Sequence, residues 1–158
     1  MSDRGTGPGR GGGWVWVGVQ SVLLTGLVVA GPAGAGAWHS MAGVILGGLL
    51  FGAGGWIGIA GVVVLGRNRT PFPGPRPGSE LVTRGVYGWV RHPLYVSLMV
   101  AGAGWGLLWQ SGWALGVVMG LGVFLDRKAR EEERRLREAF PEYGEYAARV
   151  RRFLPGMY

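Results

Sequence analysis

The chain has 158 residues, 33 of them glycine and none cysteine, so it suits one compact unit without disulfides or thiolate metal sites. Sixteen Lys and Arg against nine Asp and Glu give a net charge of +7, a balance that alone would suggest nucleic-acid binding. No charged residue occurs between Arg10 and Arg67 or between Arg91 and Asp126, however, and uncharged blocks of this length indicate a lipid environment rather than a phosphate partner.

Two long apolar runs occupy the first part of the chain, after a Gly-rich polar tail. The tail, residues 1–13, is predicted to be disordered. Residues 14–65 are predicted to form two transmembrane helices, over Trp14–Ala30 and Met41–Leu65, separated by a loop of Gly, Pro and Ala. We interpret the first run as a retained helix, because no clean cleavage site followed by a soluble domain comes after it.

A stretch rich in proline and arginine, from Arg67 to Arg91, precedes two shorter apolar runs, Pro93–Trp109 and Trp113–Leu125. The last run has 13 residues, whereas a spanning helix needs roughly 20. We therefore expect it to continue into the charged segment after Asp126 as one longer helix. The predicted fold class is all-α: a polytopic membrane protein with about four transmembrane helices and a cytosolic C-terminal helix.

The basic residues predict the orientation of these spans. With an even number of spans, the N-terminus, the loop between the second and third spans, and the C-terminal segment share one side, which holds every Lys and Arg. The positive-inside rule places this side in the cytoplasm. We therefore expect a multi-pass protein of the cell inner (cytoplasmic) membrane, with both termini cytoplasmic.

The charged segment from Asp126 to Ala139 has good helix formers and neither Gly nor Pro, so it is predicted to be helical. Three acidic residues in it have an arginine four positions later, which is typical of solvated ion pairs. These three are Asp126, Glu131 and Glu133. The predicted inward face contains Leu125, Ala129, Leu136 and Ala139, beside Phe140.

Glu132 interrupts that apolar face. A carboxylate turned inward near a membrane surface costs free energy unless a cation or a hydrogen-bond donor meets it. The pattern leaves two alternatives open: pairing with Lys128 or with an arginine of the preceding loop, or contact with a ligand.

The segment Arg91-His92-Pro93-Leu94-Tyr95 lies where the charged loop enters the third span. Proline suits the first turn of a helix, where its missing N–H costs nothing. One interpretation is that Arg91 reaches the headgroups, His92 caps the helix and Tyr95 lies at the interface. The other is a binding site, because a helix start offers free N–H groups and a positive dipole to an anionic group.

These residues resemble the isoprenylcysteine carboxyl methyltransferase family, together with the related phospholipid N-methyltransferases. The first matching block runs from Leu81 to Tyr95 and combines a Leu-Val-Thr-x-Gly-x-Tyr lead with Arg-His-Pro-x-Tyr. The match resumes at the three glutamates 131–133 and continues through Leu136, Phe140, Tyr143, Tyr146 and the ending Arg152-Phe153-Leu154-Pro155. The resemblance covers roughly residues 67 to 155, and the first two spans match only in being hydrophobic.

The resemblance implies an enzyme that takes S-adenosylmethionine from the cytosol and a lipophilic acceptor from the bilayer, with residues 66–158 as the cofactor-binding core. Carried over position by position, the residues expected to line the cofactor are Leu81, Val82, Tyr87, His92, Pro93, Leu94, Tyr95 and Glu132. A basic residue just before Glu132, either Lys128 or Arg127, is expected to face the acceptor, and Arg91 is the other candidate to orient an anionic acceptor.

The resemblance therefore predicts an S-adenosylmethionine-dependent methyltransferase that acts on a lipophilic small-molecule or lipid acceptor, by O-methylation of a carboxylate. Two alternatives stay open: a phospholipid or amine N-methyltransferase, and a non-catalytic membrane scaffold of the same fold. Neither a nucleic acid nor a metal ion is expected as a partner.

Overall fold

The computed structural model describes residues 10–68 and 78–154, and over these residues the chain is helical with no strand. Five helices follow one another, with short 3₁₀ turns at Gly66–Asn68 and Gly85–Gly88. The helices are α1 (Arg10–Ala33), α2 (Met41–Leu65), α3 (Pro93–Leu108), α4 (Gly112–Ala139) and α5 (Tyr143–Arg149). The all-α prediction is confirmed for the described part of the chain.

The first helix is longer than its apolar run. Helix α1 begins at Arg10 and continues through Pro32 to Ala33. The prediction of disorder for residues 1–13 is therefore wrong at 10–13, and residues 1–9 lie outside the described residues. Glycine is a poor helix former in water, but a backbone that approaches lipid must satisfy its own hydrogen bonds, which favours a longer helix.

Helices α2 to α4 follow the sequence pattern closely. Helix α2 has the predicted bounds, and α3 begins with Pro93 in its first turn. Helix α4 is continuous for 28 residues, so the short apolar run and the charged segment form one helix, as predicted. The Ser111 side chain caps it by accepting a hydrogen bond from Ala114 N, which satisfies one of the free N–H groups at a helix start.

The helices are arranged in the order α2, α3, α4, α1: α3 packs against both α2 and α4, and α1 packs mainly against α4. At one end of this arrangement, the two uncharged loops are joined by hydrogen bonds. Gly36 N donates to Trp109 O at 3.1 Å and Ser40 N donates to Gln110 Oε1 at 2.7 Å. Ser111 Oγ donates to Ala30 O at 2.7 Å, so the cap of α4 also holds the end of α1.

Two helices are long and apolar enough to cross a bilayer, over Gly13–Ala33 and Met41–Asn68. Their apolar side chains are turned outward: Val22 is 72% exposed and Leu49 is 67% exposed. The core helix of a soluble protein would bury such side chains, so this exposure favours lipid contact. Helix α3 is apolar but shorter, and the number of four crossings stays a prediction.

Helices α2 and α3 approach each other closely because glycines line their contact. A Cβ atom at Gly54 would lie 2.5 Å from Ala101 N, and one at Gly47 would lie 2.7 Å from Leu108 N. Small residues allow this approach between helices in a membrane, where the hydrophobic effect does not drive association. Glycine spacing alone is an unreliable guide: Gly52 and Gly116 each have a glycine four positions away, as Gly54 does, but a Cβ at either would meet nothing within 4 Å.

We expect Gly54→Ala to destabilise the protein by about 1–3 kcal/mol, the usual cost of overpacking a close contact. The added methyl group has to push α3 away from α2, because it meets backbone atoms that cannot rotate aside. Gly55→Ala is the matched control, since a Cβ there meets nothing within 4 Å. Thermal unfolding in detergent, followed by circular dichroism, measures both variants, and equal stability of the two would contradict this account of the packing.

Candidate active site

A cavity of about 600 Å³ lies between the helices at the charged end of the molecule. Four helices line it, and most of its wall is apolar, with side chains such as Val17, Leu24, Val62 and Leu98. Its polar side chains come from separate parts of the chain; they are Gln20, Ser21, Asn68, Tyr87, Arg91, His92, Tyr95, Ser97, Lys128 and Glu132. An apolar cavity with a few converging polar groups is the usual form of a small-molecule site.

The Glu132 carboxylate turns into this cavity toward the start of α3. Tyr95 Oη donates to Glu132 Oε1 at 2.5 Å, and His92 Nδ1 lies 3.6 Å from Glu132 Oε2. The rings of His92 and Tyr95 stack with centroids 5.3 Å apart. Burial raises the pKa of Glu132 above its ordinary range, while the nearby His92, the hydrogen bond from Tyr95 and the charge of Lys128 oppose that rise. Glu132 is thus an inward carboxylate beside a ligand-sized space.

Glu133 is also buried, which contradicts its prediction as a solvated partner of Arg137. Its carboxylate is 5% exposed and accepts hydrogen bonds from Arg91 Nε at 3.0 Å and Arg152 Nη2 at 2.9 Å. His92 Nε2 lies 3.1 Å from Glu133 Oε1. Despite burial, these partners lower the pKa of Glu133 well below its usual range. The i,i+4 rule failed here because cations distant in sequence outcompete an exposed helical neighbour.

The other two predicted ion pairs of this helix are present. Asp126 Oδ2 accepts from Arg130 Nε at 2.8 Å, and Glu131 Oε1 accepts from Arg135 Nε at 2.8 Å. The predicted inward face was only partly right, because Ala139 is exposed while Lys128 and Glu133 are buried. A pattern built on apolar residues misses charged side chains that are buried with partners.

The C-terminal segment covers the start of α3. Arg91 N donates to Arg151 O at 2.8 Å, and His92 N donates to Arg152 O at 3.2 Å. Arg91 also donates from Nη1 to the carbonyls of Ala147 and Val150. The interpretation that Arg91 reaches the headgroups is therefore wrong, and the His92 N–H is already bonded rather than open to a ligand. The anions near this helix start are the chain's own glutamates.

Lys128 and Arg127, the two candidates to face an acceptor, lie in different surroundings. Lys128 is 4% exposed, lines the large cavity and donates from Nζ to Gln20 Oε1 at 2.7 Å. Arg127 is exposed and does not line this cavity. Adjacent helix positions point about 100° apart, and here Lys128 faces the cavity while Arg127 faces outward. The structure therefore favours Lys128 as the basic group at the cavity.

A second, smaller cavity of about 120 Å³ adjoins the first and shares Tyr87 and Arg91 with it. Leu81, Val82 and Tyr143 contribute to its wall. Among the described residues, the Tyr143 Oη is buried and has no hydrogen-bond partner. A buried hydroxyl without a partner is costly in free energy, so this atom points to a missing polar contact in the smaller cavity.

Tyr146 closes the other side of the smaller cavity. Its Oη donates to Tyr87 O at 2.6 Å, which ties α5 to the loop before α3. Burial raises the pKa of Tyr146 to about 12, so the hydroxyl keeps its proton at neutral pH and remains a donor.

Most of the predicted site residues thus meet at these two cavities. The large cavity is lined by Tyr87, Arg91, His92, Leu94, Tyr95, Lys128 and Glu132, and the smaller one by Leu81, Val82, Tyr87 and Arg91. Pro93 is buried at the helix start and lines neither cavity. Gln20 of α1 was missed, although a single amide within an otherwise apolar span is a signal for a functional group.

Comparison with known proteins shows which family and which relatives this chain is similar to. A family model described as phospholipid methyltransferase matches residues 42–142. The cobalt-zinc-cadmium resistance protein CzcN of Cupriavidus metallidurans is 42% identical over 82 residues, which cover 51% of this chain and 38% of that protein. The nickel-cobalt-cadmium resistance protein NccN of Alcaligenes xylosoxydans xylosoxydans is 32% identical over 143 residues, which cover 89% of this chain and 63% of that protein. The matched parts are therefore less than two thirds of each of these relatives.

We expect Glu133→Gln to destabilise the fold by about 3–5 kcal/mol, because it removes the anion from a buried group of cations. Glu131→Gln is the matched control; its partners Arg134 and Arg135 are more exposed, so its cost should stay within about 1 kcal/mol. Denaturant unfolding in detergent micelles measures both. A Glu133→Gln variant as stable as the control would show that the buried network contributes little.

Proposed function

The chain belongs to the phospholipid methyltransferase family, and from this membership we propose that it is an S-adenosylmethionine-dependent methyltransferase acting on a lipophilic acceptor at the membrane. The observation that carries the proposal is the position of the Glu132 carboxylate. Tyr95 and His92 hold it at the wall of a cavity that is lined by both polar and apolar side chains. A scaffold without catalysis would have no use for an inward, partly buried carboxylate that costs free energy.

The residues present fit the cofactor. Its amino-acid end carries an ammonium, which suits the Glu132 carboxylate, and its adenine ring is flat, which suits the smaller cavity with Leu81, Val82 and Tyr87. The buried Tyr143 Oη without a partner supplies a polar contact in the same place. Aromatic faces such as those of Tyr87 and Tyr95 can stabilise a sulfonium through cation–π contact.

When bound, the cofactor supplies a methyl group on a sulfonium, which an acceptor atom takes by in-line displacement. The chain's own residues then have to hold and align the two molecules, and orientation alone can contribute about 7–11 kcal/mol in favourable cases. Tyr95 and His92 fix Glu132, and the Glu133 network fixes His92. We assign Arg91 to positioning rather than to the acceptor, because its guanidinium is bonded to Glu133 and to backbone carbonyls.

The acceptor is proposed to be a carboxylate on an apolar molecule. Lys128 offers an ammonium at the cavity wall, and the apolar side chains of Val17, Leu24 and Leu98 suit a hydrocarbon chain. A carboxylate and a sulfonium lose their charges as the bond forms, so a site from which water is excluded favours the reaction once both are bound. An amine acceptor, the second candidate, would enter the cavity as an ammonium, and the like charge of Lys128 would repel it.

We place the protein in the cytoplasmic membrane with four crossings, using α3 and the apolar part of α4 beside the two longest helices. The charged end, where the cavity lies, would then face the cytosol and its cofactor. The two relatives are named for resistance to metal ions. A carboxylate is a metal ligand, whereas a methyl ester has lost that charge. Esterification of membrane lipids therefore removes metal-binding groups from the membrane, which connects the proposed chemistry with such resistance.

Glu132→Gln is expected to weaken binding of S-adenosylmethionine by at least about thirtyfold, the effect of losing roughly 2 kcal/mol from a buried charged contact. Isothermal calorimetry on the detergent-purified protein measures the affinity. Glu131→Gln is the matched control, because that side chain lies one position earlier and bonds to arginines on the helix surface. Unchanged affinity in Glu132→Gln would remove this carboxylate from the cofactor site.

Incubation of the protein with methyl-tritiated cofactor and extracted membrane lipids is expected to label lipids with a methyl ester. Mild alkali hydrolyses such an ester and releases the label as volatile methanol, whereas a methylated amine keeps its label. The Glu132→Gln variant serves as the negative control. Label that resists alkali and travels with amine lipids would show that the second candidate, N-methylation, is correct.

A further inference from the structure

Lys128 is the single lysine of a chain with many arginines, and it is buried at the large cavity. It stands four positions before Glu132 on α4, a spacing at which Lys and Glu side chains normally reach each other. Lys128 is 4% exposed, and around a group that is so little exposed the attraction between such charges is stronger than on a surface. An ion pair between these two residues is therefore the expected arrangement.

The structure shows a different arrangement. Lys128 Nζ donates to Gln20 Oε1 at 2.7 Å, while Glu132 Oε1 accepts from Tyr95 Oη at 2.5 Å. Lys128 Nζ also lies over the Tyr95 ring, 5.5 Å from its centroid. The ammonium is thus held toward α1 and the carboxylate toward α3.

Gln20 lies in the first candidate span and outside the family-matched residues 42–142. An amide within an apolar span is costly unless it has a partner and a purpose. Because an ammonium can only donate, the Gln20 carbonyl oxygen must face Lys128. The first helix therefore contributes an uncharged amide to a site whose charged groups all come from the second half of the chain.

We propose that Gln20 is a positioning residue that holds the Lys128 ammonium toward α1, so that it does not pair directly with the Glu132 carboxylate and each charge can meet a different molecule. This inference rests on the proposed function, in which Glu132 meets the cationic end of the cofactor and Lys128 meets an anionic acceptor. Without Gln20, Lys128 turns to Glu132, and each charge neutralises the other.

The single lysine makes the geometry directly measurable. With ζ-¹⁵N-labelled lysine, the protein gives one side-chain ammonium signal in NMR, from Lys128 alone. Gln20→Met keeps the size of the side chain but removes its acceptor. Glu132→Gln should shift this signal more in the Gln20→Met background than in the wild-type background, because the coupling between the two charges strengthens once Gln20 no longer holds the ammonium toward α1. Equal shifts in the two backgrounds would overturn the inference.

Cofactor affinity supplies a second, independent readout. Gln20→Met should weaken binding of S-adenosylmethionine about tenfold, which corresponds to about 1.4 kcal/mol, and Gln20→Met with Lys128→Met should bind the cofactor more tightly than Gln20→Met alone, because the competing ammonium is gone. A merely structural role of Gln20 predicts no such rescue, so a double variant as weak as Gln20→Met would refute the proposal, as would unchanged binding in Gln20→Met.

Thr25→Val is the matched control, since Thr25 lies exposed on the same helix and should change neither the signal nor the affinity. A wild-type protein that fails to bind the cofactor would refute the proposed function. The NMR comparison would still decide the role of Gln20, because it requires no cofactor.

Discussion

The burial of the Glu133 carboxylate among Arg91, His92 and Arg152 joins three parts of the chain that are far apart in sequence. It ties the start of α3 to α4 and to the segment after α5, and backbone hydrogen bonds from Arg91 and His92 to that segment add to the same junction. A buried anion is stable only when cations and donors surround it. The wall of the large cavity depends on this junction at His92, because the junction sets where the His92 ring lies.

Two adjacent glutamates have acquired opposite properties from their surroundings. Glu133 is enclosed by cations that lower its pKa, whereas burial raises the pKa of Glu132, and its contacts come from a tyrosine hydroxyl and a histidine ring. One carboxylate holds the fold together and the other remains at the wall of a cavity. Neighbouring helix positions point in different directions, which allows one turn of α4 to serve both purposes.

The close packing of α2 on α3 contrasts with the space beside it. Glycines let those helices approach until backbone meets backbone, while the side of α3 that faces α1 and α4 leaves a cavity of about 600 Å³. Tight packing on one side gives the rigid support that a binding site needs on the other. Gln20 of α1 completes the wall of that cavity by its contact with Lys128.

The sequence by itself determined helices α2 to α4, because runs without charge and the proline at the start of α3 are local signals; the bounds of α2 and the continuity of α4 follow from them. It also singled out Glu132, since a carboxylate on an apolar face needs a partner. It predicted neither α5 nor the full length of α1. Only the tertiary structure decided that Glu133 is buried too, that Lys128 rather than Arg127 faces inward, and that Gln20 meets Lys128. These pairings join residues as many as 108 positions apart, and helical periodicity carries no information about which distant groups compete for a buried charge.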